Sequence, residues 1–264
     1  MLNVVRSELV RLRRPRLLIG WFGLMALFAL MINQVMFGMS SDPSAPANGP
    51  GVAFPSAIEL ASSSGPVAGL GAAASLFGIV TLSFWAIAVS TDYSSGLVRL
   101  LVSAQPQRWK LLAGKVVALT LVTAVATTVA MVFTMVSAVP AASAAGISTD
   151  QWGTDVASVL MSGWLNAFAA MLVWGVIGLV LAVVTRSSAI AISIGAGYVL
   201  VVESIVRQSL GDGADWLLGS TLNALAAGGN QALSYGTAAT MGAVYIIAGL
   251  LVATVVVTRR DVSD

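Results

Sequence analysis

Six long apolar runs alternate with short polar segments along the chain. A transmembrane helix needs about twenty apolar residues to cross a hydrocarbon core of about 30 Å. The runs also lack the residue-by-residue alternation of a membrane barrel strand. The pattern therefore predicts an all-α integral membrane protein with six transmembrane helices in a single domain, residues 1–264. The predicted spans are residues 17–39, 66–90, 111–139, 156–184, 188–206 and 237–258.

The segment before the first span, residues 1–15, has the pattern of an amphipathic helix. Leu2, Val5, Leu9 and Leu12 recur at helical spacing, and most of the arginines lie off this stripe. Such a helix lies in the headgroup plane with its arginines toward anionic lipid, and we expect Pro15 to end it. The alternative is that the arginines serve only as the signal that sets the topology.

A second polar segment, residues 91–110, separates the second and third spans. Asp92 can cap the start of a helix, Leu97 and Leu101 form its apolar stripe, and Pro106 breaks it. The sequence predicts a short helix that lies against the membrane and leaves one face free for a soluble partner. A plain tethering loop is the alternative interpretation.

Two segments fall on the opposite side of the membrane. Residues 40–64 are rich in proline, serine and glycine and are expected to be irregular, with one helical turn near Glu59. Within residues 207–236, an apolar stretch from 215 to 227 is too short to cross. Asp215 can cap its start, and Gly228 with Gly229 can end it. We expect a short extracellular or re-entrant helix between the fifth and sixth spans.

The distribution of basic residues predicts the orientation. Of the 13 lysines and arginines, all except Arg207 fall on the N-terminal side when six spans alternate. The positive-inside rule makes that side cytoplasmic, so we expect a multi-pass protein of the bacterial inner membrane with both termini in the cytoplasm. A cleaved signal peptide is disfavoured, because the first apolar run is longer than the usual hydrophobic region of about 7–15 residues.

Composition narrows the chemistry further. The chain is 58% hydrophobic and contains neither cysteine nor histidine. This composition excludes disulfides, thiolate nucleophiles and imidazole relays, so a membrane-embedded enzyme is disfavoured. The sequence contains no G-x-x-x-x-G-K-[ST] motif, so it is not expected to hydrolyse ATP by that route. No metal, no cofactor in the chain and no nucleic-acid partner are expected.

The polar segment between the second and third spans also carries a family resemblance. Its order of residues is Asp92, Gly96, a hydrophobic stretch, Pro106, Arg108 and the Gly114-Lys115 pair. Together with the N-terminal helix and the six spans, this order resembles the permease subunits of ABC-2 type ABC transporters over the whole chain. The chain departs from the family pattern with aspartate where glutamate is usual and with Leu97 where threonine is usual.

The resemblance implies a partner and a set of contact residues. The N-terminal segment would be a connecting helix, with Arg6, Glu8, Arg11 and Arg13 as its polar residues. The 91–110 segment would be a cytoplasmic coupling helix in the cleft of a separate ATPase. Its contact residues would be Asp92, Gly96, Arg99, Pro106, Arg108 and Lys110. The resemblance also implies two P-loop ATPase subunits that bind ATP and Mg, a second permease chain that is identical or homologous, and export of a hydrophobic or amphipathic substrate through a pathway surrounded by membrane lipid.

Three polar residues within the spans, Asn33, Asn166 and Glu203, are candidates for the transport pathway, because such residues are costly in a membrane and often functional. Interhelical hydrogen bonds account for the asparagines equally well. Glu203 also has the spacing of a helix-stabilising pair with Arg207. If Glu203 coupled transport to an ion, a secondary transporter or channel not driven by ATP would be the alternative function.

Overall fold

Helices follow the apolar runs in the computed structural model, which describes residues 2–40, 48–49, 52–96 and 107–259. They are α1 (Leu2–Leu12), α2 (Pro15–Ser40), α3 (Ala57–Ala61), α4 (Ala68–Ala72), α5 (Ala74–Ser94), α6 (Arg108–Ala145), α7 (Val156–Thr185), α8 (Ser188–Gly197), α9 (Glu203–Leu210), α10 (Leu218–Ala227) and α11 (Tyr235–Arg259). Turns of 3-10 helix occur at Gly65–Val67, Asp150–Gly153 and Gly211–Ala214, and a π-helical segment at Tyr198–Val202 joins α8 to α9. Two-residue strands β1 (Asn48–Gly49) and β2 (Val52–Ala53) pair antiparallel.

Among the described residues, six helices are long and apolar enough to cross a membrane. They are α2, α5, α6, α7, the continuous helix from α8 to α9, and α11. The prediction of six spans is confirmed, and the chain is a multi-pass membrane protein built from an all-α bundle.

The centre of the bundle is the contact between α5 and α7. In the most apolar 18-residue stretch of each span, 67% of the residues are buried in α5 and 11% in α11. Helix α5 is therefore central and α11 peripheral. Glycine and tryptophan interlock between the two central helices. A Cβ on Gly78 would lie 2.1 Å from the Trp174 ring, and a Cβ on Gly175 would lie 2.5 Å from the Trp85 ring. At both positions the tryptophan ring of one helix therefore packs directly on the backbone of the other, in the space that glycine leaves open.

The second span begins later than predicted. The expected start was residue 66, but Gly65–Val67 forms a 3-10 turn, α4 follows, and the regular helix begins only after a break at Ala73. Asn223 of α10 stabilises the new start, because its Oδ1 accepts hydrogen bonds from Ser75 N (3.0 Å) and Ser75 Oγ (2.9 Å). A residue distant in sequence thus supplies the helix cap.

The ends of α1 and of the fifth span also differ from the prediction. Pro15 does not end α1. The helix ends at Leu12, and Pro15 is the first residue of α2, where its missing N–H costs no hydrogen bond. The fifth span extends to Leu210, beyond the expected residue 206, and includes the π-helical segment. The predicted helical turn near Glu59 is present as α3, with a capping box between Ser56 and Glu59.

The predicted short helix between the fifth and sixth spans is α10. It begins at Leu218 without a cap from its own segment, so the predicted Asp215 cap is wrong. Its end at Gly228 is as predicted, with a left-handed φ of 81° that favours glycine. Most of its side chains are buried, and it packs against α4, α5, α7 and α11. The helix therefore enters the bundle and does not lie on its surface.

Candidate functional site

Four charged side chains from three helices meet at the end of the bundle that carries the N-terminal helix. Glu8 and Arg11 lie on α1, Asp92 lies in the last turn of α5, and Lys115 lies near the start of α6. We call these four residues the ion ring.

The contacts of the four residues form a closed ring in which acidic and basic side chains alternate. Arg11 Nη2 donates to a carboxylate oxygen of Glu8 and, at 3.2 Å, to Oδ2 of Asp92. Lys115 Nζ lies 3.1 Å from Oε2 of Glu8 and 2.6 Å from Oδ2 of Asp92. Each acid therefore contacts both bases, and two positive charges balance two negative charges.

Burial makes these ion pairs energetically important. The exposed fraction of the side chain is 3% for Glu8, 12% for both Asp92 and Lys115, and 24% for Arg11. An exposed ion pair contributes about 0–1 kcal/mol. Removing one member of a buried pair costs about 3–5 kcal/mol, because the remaining charge stays buried without its partner. Loss of any one member of the ion ring is therefore expected to destabilise the contact of α1 with α5 and α6.

Close packing brings α1 to the ion ring. Gly114 of α6 precedes Lys115, and a Cβ at Gly114 would lie 2.4 Å from Cγ1 of Val4 on α1. Only glycine leaves room for α1 at this distance. The i, i+3 spacing of Glu8 and Arg11 then turns both side chains toward Asp92 and Lys115.

The ion ring lies at the base of the 91–110 segment. Asp92 lies near the start of the segment, in the last turn of α5. On this side the structure describes the chain as far as Gly96, whose φ is 68°. Lys115 follows the segment closely on α6, so both ends of the segment are joined to each other and to α1. The predicted helix itself falls mostly on residues 97–106, including Arg99 and Pro106, which lie outside the described residues.

The residues predicted to contact the ATPase have different surroundings in the structure. Asp92 does not cap a new helix, because α5 continues to Ser94 and the Asp92 carboxylate faces α1 and α6. Lys110 is half-buried, with Nζ 5.7 Å from the centre of the Trp109 ring. Arg6 on α1 and Arg13, which follows the end of α1, are exposed and lie outside the ion ring. The side chain of Arg108 lies outside the described part of the chain.

Lys115 is the one residue of the ion ring that is absent from the predicted contact residues. It appears in the resemblance only as part of the Gly114-Lys115 pair that leads into the third span. A lysine just inside a long apolar run was the available signal, because a buried ammonium group requires acidic partners. Its partners are 107 and 23 positions away, at Glu8 and Asp92, so no local pattern could identify them.

A second polar cluster lies at the other end of α5. The Glu203 carboxylate accepts hydrogen bonds from Gly219 N (2.9 Å), Ser220 N (2.7 Å) and Ser220 Oγ (3.1 Å) at the start of α10. Arg207 forms an ion pair with Glu203 at 3.3 Å and also donates to Ser220 Oγ. Glu203 is only 4% exposed. Because its carboxylate accepts from the first N–H groups of α10, it supplies the capping acceptor that α10 lacks in its own segment.

The other candidate pathway residues lie against different elements. Asn33 is buried, and its Nδ2 donates to Thr134 O (2.6 Å) and Ser137 Oγ (2.8 Å) of α6. Asn166 is half-buried beside the end of α10, where a Cβ on Gly228 would lie 3.3 Å from its Nδ2. The contacts of Asn33 match the interhelical alternative, and those described for the three candidates do not join them in one site.

Within the described ranges, no group of three or more acidic, histidine or cysteine side chains is arranged to hold a metal ion.

Comparison with known proteins gives one family. The family model described as "Protein of unknown function (DUF2705)" matches residues 26–263. The match includes Asp92 and Lys115 of the ion ring and all of α10, and it begins after α1. No curated protein matches the chain.

Proposed function

Since the chain belongs to the DUF2705 family, whose description leaves the function open, we propose from the ion ring that it is the permease subunit of an ATP-driven ABC transporter of the ABC-2 type. The observation that carries the proposal is that the ion ring joins both ends of the 91–110 segment to α1. A force applied to this segment would reach α1, α5 and α6 together.

The ion ring assigns different tasks to the residues near the loop. Gly96, Arg99, Pro106, Arg108 and Lys110 remain the proposed contacts with the ATPase, on the strength of the family resemblance. Asp92 has its carboxylate inside the ion ring. We therefore assign it to transmission of movement and not to direct contact with the partner.

The remaining parts of the proposal follow from the resemblance and the charge pattern. Two partner ATPases bind ATP and Mg, and a second permease chain, identical or homologous, completes the pathway. Both termini and the 91–110 segment face the cytoplasm of a bacterial cell, because nearly all the basic residues lie on that side. The substrate is hydrophobic or amphipathic and moves outward.

The contacts of Glu203 favour this function over an ion-coupled transporter. A carboxylate that carries a coupling ion must be able to release its partners during each cycle. Glu203 instead accepts three hydrogen bonds from the start of α10 and pairs with Arg207. The only other acidic side chain in the described spans with comparable burial, Asp92, is neutralised in the ion ring.

Co-purification from native membranes tests the proposal. The tagged chain is extracted in mild detergent, and its partners are identified by mass spectrometry. We expect a stoichiometric P-loop ATPase, which is lost from the double variant Arg99→Glu/Arg108→Glu. The matched control Arg259→Glu, a charge reversal at the end of α11, should retain the ATPase. A folded, oligomeric preparation without any ATPase would refute the proposed function.

A further inference from the structure

An apolar groove of about 300 Å³ lies between α1, α2 and α6, next to the ion ring. Its walls include Leu12 of α1, Leu18 and Phe22 of α2, and Leu121 of α6. Arg13 is the one charged residue of its lining. The volume is at the lower end for small-molecule sites, which run from about 300 to 1,000 Å³. It can hold part of a hydrocarbon chain but not a whole lipid.

A strongly basic stretch of chain adjoins the groove at Arg13, and we call this end of the groove its mouth. Arg13 and Arg14 form the link between α1 and α2, and Arg16 lies in the first turn of α2. All three are exposed, and none forms an ion pair with another described residue. The nearby acid Glu8 is already occupied by Arg11 and Lys115. The positive charge at the mouth is therefore not neutralised by the protein.

The geometry matches the layers of a membrane. Arg13 and Arg14 precede the first span, which begins at Pro15, and Arg16 is its second residue, so all three lie at the level of the lipid headgroups. Phe22 is seven residues further along α2, which corresponds to a depth of about 10 Å. A ligand that fills the groove thus has an anionic group at the surface and an apolar chain directly below it.

We propose that the groove is a binding site for an anionic phospholipid, with the phosphate held by Arg13 of the lining, attracted also by the positive charges of Arg14 and Arg16, and with one acyl chain lying along Leu18 and Phe22. Guanidinium groups bind phosphate oxygens in pairs of charge-assisted hydrogen bonds. A soluble anion would leave the apolar walls uncovered. A second copy of the chain on this face would have to bury three unpaired arginines, which is costly.

The bound lipid has a consequence for the ion ring. Leu9 and Leu12 line the groove on the same helix as Glu8 and Arg11. An acyl chain between α1, α2 and α6 therefore adds apolar contact that keeps α1 docked where the ring forms. The site links the lipid composition of the membrane to the position of α1.

Native mass spectrometry of the delipidated protein tests this site. Dioleoylphosphatidylglycerol, which is anionic, and dioleoylphosphatidylcholine, which is zwitterionic, are titrated separately. We expect the first bound molecule of the anionic lipid to bind more tightly than further molecules of it and more tightly than the zwitterionic lipid. An arginine near an anionic surface strengthens binding about fivefold, so Arg13→Gln should weaken it about fivefold and the triple variant of Arg13, Arg14 and Arg16 about 100-fold.

Two further variants separate the site from lipid that coats the whole protein. Leu121→Trp fills the groove and should weaken binding of the anionic lipid while the arginines remain. Arg259→Gln removes a basic residue outside the groove and should leave the affinity unchanged. Equal binding of the two lipids to the wild type, or a triple variant with unchanged affinity, overturns the proposal. The proposal is also overturned if Leu121→Trp changes the mass of the oligomer but not the number of bound lipid molecules.

Discussion

Replacing Glu203 by alanine is expected to release α10 from the bundle. The substitution removes the acceptor of the Gly219 and Ser220 N–H groups and of the Ser220 hydroxyl, together with the ion-pair partner of Arg207. Both backbone donors lie at a helix start that its own segment does not cap. No other described side chain accepts from them.

The expected cost follows from these contacts. Leaving a buried donor without an acceptor costs about 1–3 kcal/mol, and two such donors are left. Water can reach part of the vacated space, and Arg207, 40% exposed, can turn toward solvent. We therefore expect about 3 kcal/mol, which increases the population of undocked α10 roughly 150-fold.

Cysteine labelling measures this population directly. The chain contains no cysteine, so Leu222→Cys introduces a single thiol at a fully buried position of α10. The rate of maleimide labelling should rise by about two orders of magnitude when Glu203→Ala is added. Glu203→Gln, which keeps an acceptor oxygen, should give an intermediate rate. Glu59→Ala removes an exposed capping glutamate from α3 and should leave the rate unchanged.

The reasoning is refuted if Glu203→Ala labels at the rate of the parent Leu222→Cys protein while its thermal stability in detergent is also unchanged. In that case the three hydrogen bonds do not hold α10 in place.

Three further substitutions test the packing and charge arguments by thermal denaturation in detergent. Gly114→Leu should cost about 1–3 kcal/mol by forcing α1 away from α6, whereas Gly23→Leu, whose Cβ position is open, should cost nothing; equal effects would contradict the close-packing argument. Asn223→Ala should cost about 1–2 kcal/mol by removing the cap of α5, and Asn223→Asp, which keeps the acceptor, should retain most of the stability. Lys115→Met should cost about 3–5 kcal/mol, and adding Asp92→Asn should recover part of it, because one uncompensated charge is then removed; a further loss would argue against the ion ring.

Hydropathy predicted the number of spans and most of their lengths because the requirement is local. A run of apolar residues must be a helix in a membrane whatever its neighbours are. The same reasoning placed the end of α10 at Gly228, where a left-handed residue is needed.

Features that depend on distant partners were not predictable in this way. The break at Ala73 interrupts an apolar run that hydropathy treats as continuous, and it is stabilised by Asn223, about 150 positions later in the chain. Asp92 has the local pattern of a helix cap, but the closure of the ion ring keeps it inside the last turn of α5. The role of Glu203 as the cap of α10 likewise depends on a contact 16 and 17 positions away.

The two ends of α5 give the central claim a direct test. The ion ring holds α5 at one end, and α10 packs against α4 and α5 at the other. If the ion ring transmits movement from an ATPase, nucleotide binding to the ATPase that contacts the 91–110 segment should change the exposure of α10. The Leu222→Cys thiol reports this change without knowledge of the substrate.

The decisive measurement is therefore the labelling rate of Leu222→Cys in the co-purified complex, with and without ATP and vanadate, in the presence and absence of Lys115→Met. We predict that the rate changes with nucleotide when the ion ring is intact. In the Lys115→Met complex the ATPase should remain bound through the 91–110 segment, but the rate should no longer respond to nucleotide. An equal response in both complexes would contradict the claim that the ion ring couples ATP hydrolysis to the spans.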